Sequence, residues 1–159
     1  QLMELAPNCK VTLHRAFDVT RDPYEALEDA CRLGVSWILT SGQQNSCTQG
    51  ADLLKNLVQQ AGDRTQILIG AGVNAEAIHT LAPYTGAEAF HLSGKYSVPS
   101  GMEFRRESVS MGAAGMDEYE ISRCSAKAIA AAREALEQAM RERETRGEFR
   151  FEDHQGAKQ

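Results

Sequence analysis

The fold of this chain is decided by the stretch Gln66-Ile67-Leu68-Ile69-Gly70-Ala71-Gly72-Val73-Asn74. Its short apolar run stops at Gly-Ala-Gly, and a helical pattern follows at once. A run of this length bounded by turn residues is typical of a buried parallel strand, and glycine lets the backbone adopt positive φ angles and come close to a ligand. The stretch therefore predicts a strand that leads into a helix through a tight turn.

The same order of strand, polar turn and helix occurs three more times along the chain. Strands are predicted at residues 11–15, 35–40, 67–70 and 87–93, and helices at residues 23–33, 48–61, 75–81 and 121–144. Asp22 and Asn74 are good N-cap residues and stand directly before helical patterns. The strands begin every ~20–30 residues, the length of a βα unit, so we expect a curved parallel sheet with helices on its outer side. Residues 94–119 are predicted to be irregular.

Composition narrows the class of protein. A net charge of −5 argues against nucleic acid or an anionic membrane as the main partner, and no apolar run has the ~20 residues of a membrane-spanning helix. The N-terminus lacks the pattern of a signal peptide, and the missing initiator Met indicates a start part-way through a longer product. The four cysteines, at positions 9, 31, 47 and 124, are widely spaced, so we expect reduced thiols in the cytoplasm. Residues 1–144 are predicted to form one domain and residues 145–159 a polar, disordered tail.

Alternation along the strands predicts which side chains face the inside of the curved sheet. Apolar residues should face the outer helices, which places six other side chains inward: Thr12, His14, Ile38, Thr40, His91 and Ser93. The residues predicted to face outward are Val11, Leu13, Trp37, Leu39, Phe90 and Leu92. The third strand is apolar on both faces and gives no prediction. Two histidines therefore lie near the carboxyl ends of strands, where the βα loops of barrels build functional sites.

Four segments carry a family resemblance: Leu13-His14-Arg15-Ala16-Phe17-Asp18, Ile38-Leu39-Thr40-Ser41-Gly42-Gln43, Gly70-Ala71-Gly72-Val73 and Glu88-Ala89-Phe90-His91-Leu92-Ser93. In this order and at these spacings they resemble successive motifs of the CutC copper homeostasis family. Residues 100–105 and 108–112 are similar to its animal branch. The resemblance implies a (β/α)8 barrel of the TIM type, of which this chain has about four βα units, corresponding to the second half. It also implies copper homeostasis, a cytoplasmic or also nuclear location and homo-oligomers, without a settled reaction.

The chain departs from the family pattern in three places. The first four βα units are absent, Gly70-Ala71-Gly72 stands where three glycines are usual, and the segment after Met116 is unlike that of the animal branch. Half a barrel leaves two unpaired strand edges, at residues 11–15 and 87–93, and an uncovered inner face. We therefore expect self-association, a missing N-terminal half-barrel supplied elsewhere, or poor behaviour in solution.

Three side chains are candidate copper ligands: His14, His91 and Cys47. Imidazole nitrogen suits copper, and the soft thiolate suits Cu(I). The two histidines could instead form an acid/base pair, since histidine titrates near neutrality, or serve as hydrogen-bonded structural residues. Cys47 is predicted to lie in a loop at the carboxyl end of the sheet, either as a ligand or as a small buried side chain.

A second set of residues follows the predicted strands and offers groups for a small ligand: Arg15, Asp18, Thr40, Ser41, Gln43, Gly70, Gly72, Ser93 and Lys95. Arg15 can bind a carboxylate or phosphate through two hydrogen bonds. The glycine turn at a helix start is a natural seat for an anion, to which Lys95 adds charge. The alternatives are an Arg15–Asp18 pair that stiffens its own turn, and tight turns with ordinary caps.

The sequence leads to three hypotheses about function. In the first, the chain is a copper homeostasis protein that binds Cu(I) in the cytoplasm for storage, delivery or tolerance, without nucleic acid or membrane as a partner. In the second, it is a barrel enzyme for a small phosphorylated or carboxylated metabolite, although no nucleophile–base pair can be named. In the third, it is an inactive truncated form.

Overall fold

A computed structural model describes residues 2–5, 8–106, 108–109, 112 and 117–147 of the chain. Four strands form one parallel sheet in the order β1-β2-β3-β4: Thr12–Leu13, Trp37–Thr40, Gln66–Ile69 and Ala89–Phe90. Helices α1 to α5 comprise Leu2–Leu5, Pro23–Arg32, Ala51–Ala61, Ala75–Thr85 and Ala126–Thr145, and a 3-10 helix covers Arg15–Val19. Helices α2 to α5 each follow one strand of the sheet, so the described residues form four βα units, as predicted.

The helix starts follow from local hydrogen bonding. The Asp22 carboxylate accepts from the backbone N–H groups of Tyr24 and Glu25, and Pro23 occupies the first helical position, where its missing N–H costs nothing. Asn74 caps α4 by accepting from the N–H of Ala77. Both predicted caps are confirmed because this chemistry depends only on residues within one helical turn.

Strand register decides which side chains meet the helices. Leu13, Ile38 and Ile67 are aligned across β1, β2 and β3, and Ile38 and Ile67 are buried in the core between the sheet and the helices. Phe90 packs against the same core, so the outward prediction is confirmed for Leu13 and Phe90. The prediction for β2 is wrong, since Ile38 and Thr40 face the helices.

The error in β2 has a physical reason. Three consecutive apolar residues, Trp37-Ile38-Leu39, leave its alternation ambiguous. The Trp37 indole carries an N–H that needs an acceptor, and it donates to Gln66 Oε1 at 2.5 Å on the face opposite the helices. The hydrocarbon side chain of Ile38 has no such need and is buried instead.

A two-stranded antiparallel sheet is inserted between β4 and α5. It pairs β5, Lys95–Pro99, with β6, Glu120–Cys124. This sheet corrects two predictions. Residues 95–99 form a strand instead of an irregular segment, and residue 121 lies in a strand instead of starting the last helix. Because most of its residues are exposed on both faces, its sequence shows little of the alternation from which strands are predicted.

The helices cover one face of the parallel sheet. Leu27, Leu54 and Leu81 from successive helices pack on the strands, and α5 extends this layer where Ala132 contacts the cluster containing Ile78. The opposite face carries Leu39 and Leu68, which are partly exposed. We call this surface the open face; the residues aligned on it are Thr12, Trp37, Leu39, Gln66, Leu68 and Ala89. The fold is therefore that of about half a TIM-type barrel, with the side that faces the barrel interior left open.

Two further sequence predictions concern the C-terminal tail and membrane-spanning helices. The predicted polar tail begins at Thr145, which is the last residue of α5, and residues 148–159 lie outside the described residues. Within the described ranges, no helix combines the length and apolarity needed to cross a bilayer.

Candidate functional site

The Asp18 carboxylate is the centre of a hydrogen-bond network at the carboxyl ends of β1 and β2. Only 7% of its side chain is exposed. It accepts from Thr40 Oγ1 at 2.5 Å, from the Ser41 N–H at 3.1 Å and from the Gln43 N–H at 3.2 Å. The 3-10 helix after β1 therefore holds the loop after β2 through one carboxylate.

Arg15 joins the same network from its exposed side. Its Nε lies 2.6 Å from Asp18 Oδ2, and its Nη2 donates to Ser41 Oγ at 2.7 Å and to the Gln44 carbonyl at 3.3 Å. Because 44% of the Arg15 side chain remains exposed, the network fixes the direction of the guanidinium without burying it.

Gln43 completes the loop after β2. It has a φ of 56°, a conformation that is uncommon for residues other than glycine. Its Nε2 donates to the Thr20 carbonyl at 2.8 Å. The structure thus brings together five predicted ligand residues, namely Arg15, Asp18, Thr40, Ser41 and Gln43, and their polar groups largely satisfy one another, as the internal-pair alternative for Arg15 and Asp18 predicts.

Opposing effects act on the Asp18 carboxyl. Burial raises its pKa, whereas hydrogen bonds from Thr40, from Arg15 and from the N–H groups of Gln43 and Ser41 lower it, and together they hold the pKa of Asp18 below its ordinary value. Asp18 is therefore ionised at neutral pH and carries the negative charge that Arg15 balances.

The glycine turn after β3 is tied to the loop after β2. The Gly70 N–H donates to the Thr40 carbonyl at 2.9 Å, and the Ala71 carbonyl accepts from the Cys47 N–H at 2.9 Å. Ala71 and Gly72 have φ angles of 70° and 78°, so the alanine adopts the left-handed conformation that glycine usually supplies. The Gly70 N–H is engaged internally and does not serve as an anion donor.

Ser93 and Lys95 lie in a different place. With Asn74, Glu76 and Ala128 they line a cavity of about 360 Å³ between the start of α4, the Ser93–Lys95 segment and α5. This cavity gathers the last two predicted ligand residues beside a helix N-terminus, where anions are favoured, but Glu76 adds a negative charge there. It does not include the Arg15 network.

The three candidate copper ligands lie in separate parts of the fold. His14 follows β1 at one edge, and its exposed ring accepts from the Ala16 N–H through Nδ1 at 3.0 Å. His91 follows β4 at the other edge. Cys47 is fully buried in the core, and burial raises the pKa of its thiol. In the part of the chain that the structure describes, no cluster of three or more His, Cys, Asp or Glu side chains is placed to hold a metal ion.

Two features of this region were not predicted from the sequence. Thr20 and the Gln44 carbonyl belong to the network, and Gly42 and Gly50 approach so closely that a Cβ on either would overlap backbone atoms of the other segment. The sequence offered one signal for this close approach, namely two glycines eight residues apart in a polar loop. Glycine is required at such positions only where the backbone approaches another segment closely or adopts a positive φ.

Comparisons with known proteins agree with this architecture. A family model described as the CutC family matches residues 1–96. A family protein CutC from Chromobacterium violaceum is 47% identical over 139 residues, which are 87% of this chain and 56% of the relative. One from Bacteroides fragilis is 49% identical over 121 residues, or 76% of this chain and 48% of the relative. The chain thus spans about half the length of these curated relatives.

A solved structure of the family also matches this chain over about half of its own length. The crystal structure of CutC from Streptococcus agalactiae, which its description assigns provisionally to copper homeostasis, superimposes with a TM-score of 0.54 and 29% sequence identity. The match covers 57% of this chain and 45% of that one. The relatives compared are bacterial, so the likeness to the animal branch stays a prediction.

Proposed function

Because this chain belongs to the CutC family, we propose that it acts in copper homeostasis by binding Cu(I) in the cytoplasm, for storage, delivery or tolerance. The observation that carries the proposal is the family match itself, which includes the segments that contain His14, Cys47 and His91. Copper is the cargo in this proposal.

The two histidines are the first ligands in this proposal. Both rings are exposed at the carboxyl ends of edge strands, and imidazole is a good copper ligand. Coordination by His14 requires its ring to give up the hydrogen bond from the Ala16 N–H, which costs about 1 kcal/mol. That cost is small beside the apparent binding energies of about 10–16 kcal/mol that complete structural zinc sites reach.

Binding copper through Cys47 costs more free energy than binding it through either histidine. Its sulfur must lose a proton and reach the metal, whereas the thiol is fully buried with a raised pKa. Binding through Cys47 therefore requires the loop that follows β2 to open. We expect the histidine contribution to dominate the affinity for Cu(I).

Competition titration tests the proposal. Cu(I) is titrated anaerobically against a colorimetric chelator, using wild type, His14→Ala, His91→Ala and Cys47→Ser chains, with His79→Ala as the matched control on the exposed surface of α4. Each of the first two substitutions should weaken binding about tenfold or more, which corresponds to the loss of about 1.4 kcal/mol. Wild-type affinity no tighter than that of the doubly substituted His14→Ala, His91→Ala chain would overturn the site.

A second candidate function is recognition of a small phosphorylated or carboxylated metabolite. It is supported by the Arg15 guanidinium, which Asp18 and Ser41 hold in one direction while nearly half of the side chain stays exposed. Titration with inorganic phosphate, monitored by backbone NMR shifts, should perturb residues 15–18 and 41–44 in wild type but not in Arg15→Gln. Shifts confined to Ser93 and Lys95 would instead assign the anion to the other cavity.

A further inference from the structure

The two strands β5 and β6 form a sheet of their own, which we call the ribbon and which is separate from the parallel sheet. It connects β4 to α5. All of its residues except Val98 are exposed. A two-stranded antiparallel sheet without further support is only marginally stable in water, so the addition of another strand at either edge would stabilise the ribbon.

The hydrogen bonds at the two ends of the ribbon show which backbone groups point out of it. The Ser125 N–H donates to the Gly94 carbonyl at 2.8 Å, and the Ser100 N–H donates to the Tyr119 carbonyl at 2.6 Å. Hydrogen-bonded and non-hydrogen-bonded pairs alternate along an antiparallel ladder. Three pairs therefore have backbone groups that point out of the ribbon: Lys95–Cys124, Ser97–Ser122 and Pro99–Glu120.

The two edges of the ribbon differ in how well they accept another strand. On β5, Pro99 has no N–H to donate, and proline is one of the features that protect edge strands from pairing. The sequence of β6 contains no proline, and the N–H groups of Ser122 and Cys124 point outward. The Glu120 N–H is engaged, since it donates to the Asp117 carbonyl at 3.3 Å. The edge of β6 is therefore the one to which a strand can add.

We propose that β6 pairs with β6 of a second copy, antiparallel about a two-fold axis at Ser122, so that two ribbons form one four-stranded sheet. The same edge meets itself, as in other two-fold interfaces. Four hydrogen bonds join the copies. Two run between the Ser122 residues, and two run from the Cys124 N–H groups to the Glu120 carbonyls of the opposite copy.

The side chains favour this register over its neighbours. With Ser122 opposite itself, all five residues of each β6 are paired, and Ile121 lies opposite Arg123 of the second copy, so no like charges meet. An axis at Ile121 or at Arg123 pairs only three residues of each strand, and the latter also places two arginines opposite each other. In the proposed register, only the small Cys124 separates Glu120 from Lys95 of the second copy on one face of the sheet, and these two charges attract.

Disulfide trapping tests the pairing. In a background with Cys9→Ser and Cys124→Ser, which removes the two exposed thiols, Ser122→Cys should give a covalent dimer on mild oxidation. Hydrogen-bonded residues of antiparallel strands have Cα atoms about 5.5 Å apart, within the range of a disulfide. Ser97→Cys is the matched control, because Ser97 is the exposed cross-strand partner of Ser122, but three strand spacings, about 14 Å, would separate its two copies. No dimer from Ser122→Cys, or equal yields from both variants, would overturn the pairing.

A mixing experiment tests the register. Ile121→Cys and Arg123→Cys, each in the same background, should cross-link when mixed in equal amounts, because the two positions face each other across the axis. Either variant alone should give little dimer, since its two copies are offset by two residues along the strands. Dimers from either variant alone as abundant as those from the mixture would overturn the register with Ser122 on the axis.

The mass in solution provides the second measurement. An edge of five residues is a small interface, so we expect a weak dimer. Light scattering should give a mass that rises with concentration from 17.4 kDa towards twice that value. Ser122→Pro removes the outward N–H and should abolish the rise, whereas Ser97→Pro, the same change on the edge of β5, should leave it intact. A wild-type mass that stays at the monomer value up to about 1 mM would overturn the proposal.

The interface and the proposed copper function fail independently. All groups of the interface lie between residues 94 and 125, so the same cross-links are expected from any longer chain that contains this segment. A trapped dimer that does not bind Cu(I) would keep the interface and remove the proposed function. A chain that binds Cu(I) but gives no Ser122→Cys dimer would keep the proposed function and overturn the interface.

Discussion

At the scale of single residues, Asp18 determines the shape of the carboxyl end of the sheet. Its carboxylate accepts from one guanidinium, two hydroxyl groups and two backbone N–H groups. These donors come from segments more than twenty residues apart in the chain. A single side chain therefore links the 3-10 helix after β1 to the loop after β2.

Replacing Asp18 by asparagine should destabilise the fold by about 2–3 kcal/mol, because hydrogen bonds to a buried charged group are lost and an amide N–H₂ faces N–H donors. Urea denaturation measures the change. Asp29→Asn is the matched control: its ion pair with Arg32 is largely exposed, so the change should stay within about 0.5 kcal/mol. Equal effects of the two substitutions would contradict the assigned role of Asp18.

The contribution of Asp18 should also depend on pH. A carboxyl whose pKa is lower in the folded chain than in the unfolded chain binds protons more weakly when folded, so its stabilisation is present above the unfolded pKa and is lost as the pH falls through the folded pKa. The difference in unfolding free energy between wild type and Asp18→Asn should stay constant from pH 7 to about 5. It should shrink below the ordinary value of 3.8. A difference that grew on acidification would contradict the lowered pKa of Asp18.

Cys47 should be the least reactive thiol of the folded chain. It is fully buried and its pKa is raised, whereas Cys9 and Cys124 are exposed. We expect an aromatic disulfide reagent to modify the exposed thiols first and Cys47 about 100-fold more slowly, since the thiolate is the reactive form. Mass spectrometry of partly modified protein identifies the sites. Modification of Cys47 as fast as Cys124 would show that its loop opens freely.

At the scale of elements, the loop between β2 and α3 depends on the close approach of two glycines. Gly42 has a φ of 71°, and a Cβ at this position would overlap the Gly50 carbonyl oxygen. The approach lets the loop turn back over Ser41 and present it to Asp18. The backbone of the loop is thus in contact with itself, which leaves no room for a Cβ at either glycine.

Gly42→Ala should cost about 3 kcal/mol of stability, because backbone overlap adds to the strain of a positive φ. Gly62→Ala is the matched control, since Gly62 also has a positive φ but nothing lies within 4 Å of an added Cβ. Its cost should be about 1 kcal/mol. Thermal unfolding of the two variants measures the difference, and similar melting temperatures would contradict the close approach.

At the scale of the whole molecule, helices cover one face of the sheet and leave the other face open. The chain has one tryptophan, Trp37, and it lies partly exposed on the open face, with Lys10 Nζ 5.3 Å from its ring centre. Any segment that covers the open face would shield this ring from solvent. The fluorescence of Trp37 therefore reports whether the open face is covered.

Acrylamide should quench the fluorescence of Trp37 in the folded chain, because its ring is partly exposed on the open face. Quenching as weak as that of a fully buried tryptophan would show that the open face is covered.

Local features of the fold could be predicted from the sequence. Asp22 and Asn74 start helices as predicted because a cap bonds to N–H groups two or three residues away. The four βα units follow from the period of apolar runs and turns. The Arg15–Asp18 pair, one of the two alternatives that the sequence left open, also forms, since its partners are three residues apart.

Other features were decided only by the tertiary structure. Ile38 faces the helices because its register is set by Leu13 and Ile67, each more than twenty residues away, and its own strand is apolar on both faces. Asp18 meets Thr40, Ser41 and Gln43 only because β1 and β2 are neighbours in the sheet. His14 and His91 fall on opposite edges for the same reason: strand order is a property of the assembled sheet, whereas caps and turns are encoded by residues in contact along the chain.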